Sequence, residues 1–176
     1  MYPVNQVLMT GEIRRRLIWC DAELAVWIDI DSPTALPEPI PLVEFERQLL
    51  DGSLLRIDDP FLNTTLREVS DGSVDQQKRD SAWEILADVV QDTRLLERRA
   101  RGEIVKGIME LHGITNQTVY RLLRRYWQRG MSRNALLPDY VNSGGRGKRR
   151  KPDQAKLGRP RVVRDGTGSN VTLDVE

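Results

Sequence analysis

The stretch TNQTVYRLLRRYWQRG, residues 115–130, most constrains the fold, because only an α-helix separates its side chains into two coherent faces. At about 100° per residue, Val119, Leu122, Leu123 and Tyr126 share one face, the i, i+3, i+4, i+7 stripe of a core-facing helix. Gln117, Arg121, Arg124 and Gln128 share the opposite face, with Arg125 at its edge and Asn116 and Tyr120 flanking its N-terminal end. No carboxylate interrupts the stretch. A helix kept polar only for solubility usually intersperses glutamate with arginine at i, i+4. Arginine bonds bidentately to guanine O6 and N7, and asparagine or glutamine to adenine N6 and N7, so this set suits a DNA major groove. A helix packed on a partner protein is the competing reading. It makes the chain an interaction adaptor anchored on Tyr120, Tyr126 and Trp127.

The preceding residues supply the context a reading helix needs. In DGSVDQQ, Ser73 and Gln76 have capping-box spacing, and the helix that follows is expected to bury Trp83, Leu86, Val89 and Val90. After Asp92-Thr93 a second helix, roughly 95 to 112, is expected to bury Ile104, Val105, Ile108 and Leu111. HGIT then breaks the chain at Gly113, and Thr115 caps the third helix. Helix, helix, short turn and helix is the helix-turn-helix pattern, assigned to residues 71–135. His112 reads as a helix-end residue rather than a metal ligand, since one histidine and one distant cysteine, Cys20, cannot close a site.

Residues 1–70 read as a small β-rich module. QVLM, RRRLIWC and LAVWIDI are strand-like runs separated by Thr10-Gly11 and Asp21-Ala22-Glu23. SPTALPEPIP holds four prolines in ten residues, so it is neither helix nor central strand. LVEFERQLLDG predicts a helix with Pro41 at its start, a Leu42, Phe45, Leu49 stripe and a stop at Gly52; LLRI predicts a fourth strand. The expected fold class is α+β, mainly α in the DNA-binding part, with residues 136–176 as an extended basic linker.

Charge separates these pieces. Residues 1–70 carry 6 Lys/Arg against 12 Asp/Glu, residues 71–113 carry 7 against 9, and residues 114–176 carry 14 against 5. A net charge of +1 conceals a strongly basic C-terminal third, which points to a nucleic-acid or acidic-surface partner. Thr115, Thr118, Arg125, Arg129 and Arg133 are candidate phosphate contacts, joined by Arg146, Lys148, Arg149, Arg150 and Lys151 in the Gly-rich tail. In GRPR, residues 158–161, proline holds the backbone extended and places Arg159 and Arg161 for a narrow minor groove. NVTLDVE reads as a cap at Thr172 whose helix would continue into a further domain. A single cysteine excludes an internal disulfide, and neither an apolar run of about 20 residues nor a secretory signal is present, so a cytoplasmic protein is expected.

TVYRLLRRYWQRGMSRNALLPDYVNSGG followed by GRPR resembles the N-terminal region of TnsB, the DDE transposase subunit of heteromeric cut-and-paste bacterial transposons and their CRISPR-associated relatives. The resemblance takes in DDPF at 58–61 and QKR at 77–79, is densest from Thr118 to Gly145 and is weaker in residues 1–55. The GRPR linker is also similar to one that joins paired helix-turn-helix domains in other transposases. The resemblance implies N-terminal domains that bind repeated sites in double-stranded transposon ends, with other transposase subunits as further partners. It also implies a downstream RNase-H-like domain, holding divalent metal on two Asp and one Glu, that performs strand transfer and is expected to lie outside this chain. No enzyme activity, cofactor, metal or membrane is therefore expected here. Asp29 and Asp31 in WIDID superficially resemble a catalytic strand, and a metal-dependent nuclease using the acids of residues 21–46 is the second alternative.

Overall fold

In the computed structural model, which describes residues 2–139, the strand-like runs pair into one antiparallel sheet. Strands β1 (Val7–Thr10), β2 (Ile13–Cys20), β3 (Leu24–Asp29), β4 (Glu38–Pro41) and β5 (Leu55–Ile57) lie in the order β4-β3-β2-β1-β5. Strand β4 lies within the proline-rich segment and at the sheet's edge. Ile40 pairs with Ala25, and the Leu42 N–H donates to Glu23 O at 2.7 Å. Even-numbered residues therefore turn their N–H groups toward β3, while Pro39 and Pro41 put their missing donors on the open side.

Both faces of the sheet are buried, which explains its near-continuous apolar runs. Along β3, Ala25 and Trp27 face a cluster with Leu8, Leu17 and Phe45 beneath helix α1 (Leu42–Leu50). Val26 and Ile28 face the helices instead. A bulge between Leu17 and Trp19 shifts the register of β2, so that Ile18 and Trp19 both pack toward the helices while Leu17 and Cys20 face α1.

A short helix α2 (Leu62–Thr65) leads to α3 (Val74–Leu86), α4 (Arg98–His112) and α5 (Asn116–Gln128), with 3₁₀ turns at Thr93–Leu96 and Arg133–Leu136. Ser73 Oγ accepts from the Gln76 N–H at 3.1 Å, the cap the sequence predicts. Two boundaries differ from expectation: α3 ends at Leu86, and Asp92 caps a 3₁₀ turn that delays α4 to Arg98. Leu111 also departs, being 78% exposed. The buried stripe of α4 runs through Arg101, Val105 and Ile108, and Leu111 lies about 100° from its centre.

Gly113 ends α4 at φ 63°, in the left-handed region that favours glycine, and its N–H bonds to Met109 O at 2.9 Å. Thr115 Oγ1 accepts from the Thr118 N–H at 3.3 Å and opens α5. Val119, Leu122, Leu123, Tyr126 and Trp127 are all buried in a core shared by α5, the other helices and the sheet residues Ile18, Val26 and Ile28. Met1–Pro138 form one compact unit. The fold is α+β.

Candidate nucleic-acid interface

The open part of α5 is its first two turns. Thr115, Asn116, Gln117 and Arg121 are exposed, and Thr118, Tyr120, Arg124 and Arg125 are half-buried. Tyr120 packs its ring against the shared core. The first-turn N–H groups and the positive end of the helix dipole lie beside this patch, a setting that favours anions. The helix carries no acidic residue in its first turn, and none follows before Gly130.

Gln128 is placed differently from the sequence expectation of a groove-facing reader. It shares the angular face of Gln117, Arg121 and Arg124, but its amide Nε2 donates to Asp29 O and Ser32 O, each at 2.8 Å. The loop after β3 lies against the last turn of α5, so the exposed face ends before Gln128. Spacing within one helix cannot reveal which turn another module covers.

That covered end contains residues the sequence reading missed. Arg16 has no exposed surface; its Nε donates to Gln128 O at 3.1 Å, and its two terminal nitrogens meet the Asp59 carboxylate at 2.8 and 2.6 Å. Asn5 Nδ2 donates to Gly130 O at 3.0 Å, and Thr65 Oγ1 to Arg129 O at 3.2 Å. Asp59 and Phe61 belong to the DDPF motif, and Phe61 lies under the Arg129 guanidinium, 5.6 Å from the ring centre. The motif was visible in the sequence; its use as a joint between sheet and helix was not.

Of the other candidate phosphate contacts, Arg129 is half-buried at this joint, donating to Leu137 O at 3.5 Å. Arg133 is exposed and lies 3.0 Å from Asp80 Oδ1. Arg79 and Arg133 together hold the Asp80 carboxyl below the usual carboxylate range. Arg79 belongs to the QKR motif and reaches Asn134 Oδ1 at 2.9 Å, tying α3 to the turn that follows α5. Arg146, Lys148, Arg149, Arg150, Lys151, Arg159, Arg161 and the cap at Thr172 lie outside the described residues.

The residues named for the two alternatives are placed as follows. Tyr126 and Trp127, anchors of the adaptor reading, are 4% and 2% exposed and belong to the core. Burial pushes the Tyr126 phenol above its ordinary value. Asp29 Oδ1 accepts from the Asp31 and Ser32 N–H groups, and Asp31 pairs with Arg14. Among the described residues, no group of three or more His, Cys, Asp and Glu is placed to hold a metal ion.

Two family models match the chain. One, described as the TnsB N-terminal SH3-like domain, matches residues 1–60, and the other, described as the TnsB second domain, matches residues 79–140. Over its whole length the chain is 35% identical to the transposon Tn7 transposition protein TnsB of Escherichia coli. It covers 25% of that protein, so it spans about a quarter of the length of the curated relative it matches.

Proposed function

The chain belongs to the TnsB family of transposition proteins, and from that premise we propose that it binds double-stranded DNA sequence-specifically, at repeated sites in transposon ends. One observation carries this reading: the first half of α5 presents a carboxylate-free patch, exposed at Asn116, Gln117 and Arg121 and half-buried at Arg124, at the end of a helix-turn-helix. Such motifs present the N-terminal residues of their second helix to base edges in the major groove. Arg121 and Arg124 bond to guanine in this account, Asn116 and Gln117 to adenine, and Tyr120 lines the groove beside them. Thr115, Thr118, Arg125 and Arg133 contact phosphates, which fix register without reading sequence.

The tail adds a second kind of contact. Arg146, Lys148, Arg149, Arg150 and Lys151 attract the backbone, and Arg159 and Arg161 enter an adjacent minor groove. The acidic sheet module faces away from phosphates over most of its surface and meets other transposase subunits. Strand transfer belongs to a downstream DDE domain of longer members of the family. Among the described residues no helix is long and apolar enough to cross a membrane, and the chain acts on DNA in the bacterial cytoplasm.

Salt titration against a duplex carrying the transposon end, beside a scrambled duplex of equal length, tests the reading. Binding should favour the end and weaken steeply with salt on both duplexes. Equal affinity for the two would remove sequence-specific recognition. Affinity indifferent to salt would remove DNA as the partner.

A further inference from the structure

The last turn of an α-helix leaves carbonyls without intrahelical partners. In α5, three successive carbonyls at this end are taken by side chains from elsewhere in the fold. Gln128 O accepts from Arg16 Nε at 3.1 Å, Arg129 O from Thr65 Oγ1 at 3.2 Å, and Gly130 O from Asn5 Nδ2 at 3.0 Å. The Gln128 amide returns two bonds to Asp29 O and Ser32 O. Gly130 permits the close approach, for a Cβ there would lie 2.8 Å from Thr65 Oγ1.

Hydrophobic burial is non-directional, so it holds α5 to the core without strongly fixing the direction of its axis. Five directional bonds at one end do fix it. The proposed base contacts lie at the other end of this 13-residue helix, about 20 Å long. A tilt of about 3° at the joint would move those side chains by about 1 Å. That displacement degrades bidentate hydrogen bonds, whose distance and angle limits are narrow, while phosphate attraction declines slowly with distance.

We infer that Arg16, Asn5 and the Gln128 amide form a positioning clamp, through which the sheet module sets base discrimination by fixing the axis of α5. The inference rests on α5 being the helix that reads DNA. Arg16 is wholly buried, so its influence on sequence preference runs through the helix and not through contact with the duplex.

The test uses the 176-residue chain and a pool of duplexes with a randomised central segment, sequencing what the protein retains. Two variants open the clamp. Gln128→Ala removes the amide. Asn5→Gly removes the donor to Gly130 O and the Oδ1 acceptor of Arg16 without backbone strain, because Asn5 sits at φ 77°, where glycine is at ease. Arg121→Ala serves as the control for a lost reader. Wild type should enrich one motif, and Arg121→Ala should lose preference at one or two of its positions. Each clamp variant should flatten preference at every position by about fivefold or more, while its affinity for scrambled duplex stays within about twofold. A merely structural role would lower specific and non-specific binding together, in proportion to the unfolded fraction, and leave the motif unchanged.

If wild type enriches no motif, sequence-specific reading itself fails and the clamp falls with it. If wild type enriches a motif and both clamp variants enrich it as strongly, the clamp alone is overturned. Loss confined to one base pair in Gln128→Ala would make Gln128 a reader and likewise overturn the clamp. If one variant melts below the assay temperature, the other carries the comparison. Unfolding of both would mean that these bonds hold the fold and do not aim the helix.

Discussion

Arg16 is a charged side chain on an interior strand, and everything around it follows from the cost of burying that charge. Its guanidinium meets the Asp59 carboxylate and the carbonyls of Gln128 and Asn5, so the ion is paired and most of its donors are satisfied. Burial alone would raise the Asp59 carboxyl, but the Arg16 guanidinium and the Phe61 N–H outweigh it and hold the group below the usual carboxylate range. A depressed carboxyl stabilises the fold above its unfolded value of about 3.9. That contribution is lost as pH falls through the lower folded value. Asp59→Asn should therefore cost about 3 kcal/mol near neutral pH by stranding a buried guanidinium. The gap to wild type should close as the wild-type carboxyl protonates in acid. Denaturant melts at several pH values would show both effects; a gap that stays constant in acid would detach the stability from the ion pair. The sequence displayed Arg16 within RRR and Asp59 within DDPF, but no local spacing relates positions 16 and 59.

At the scale of the element, α5 was legible because its period depends only on its own residues. The stripe Val119, Leu122, Leu123 and Tyr126 is buried as the spacing predicts. The same geometry failed for Gln128 and Leu111, each for a reason lying outside its helix. The loop after β3 covers Gln128, and the core meets α4 along Arg101, Val105 and Ile108, leaving Leu111 on the flank. Strand β4 was hidden by its prolines, whose pattern suits an edge once the partner strand is known. Leu122 is 7% exposed within the shared core, so Leu122→Ala should destabilise the protein. Side-chain loss at such a site costs about 2–5 kcal/mol. Thermal melts followed by far-UV circular dichroism and by tryptophan fluorescence should shift together, because Trp27 in the sheet and Trp127 in α5 belong to one compact unit. Separate transitions would show that sheet and helices melt independently.

At the scale of the whole molecule, charge divides what the fold joins. The acidic sheet module packs against the basic helix α5, and the excess of Lys and Arg continues beyond that helix as far as Arg164. Composition alone made this polarity legible. How the acidic part serves the basic part depended on contacts between residues more than 90 positions apart, such as Gln128 with Asp29. Neutralising Arg146, Lys148, Arg149, Arg150 and Lys151 should weaken binding to all duplexes alike. It should also reduce the salt slope by about one unit per lost phosphate contact. A slope unchanged from wild type would mean that the tail cluster does not reach the backbone.

In the proposed complex the exposed start of α5 touches base edges, and Arg121 is the exposed charged side chain on that face. The most direct test is a double-mutant cycle between protein and DNA. Wild type and Arg121→Ala are titrated against the selected site, and against the same site with 7-deazaguanine at each guanine in turn. That substitution removes the N7 acceptor and leaves Watson–Crick pairing intact. A coupling of about 1–3 kcal/mol at one guanine, and near zero at the others, is the result predicted for a bidentate contact. Coupling near zero at every guanine, with Arg121→Ala binding the site as wild type does, would contradict the account.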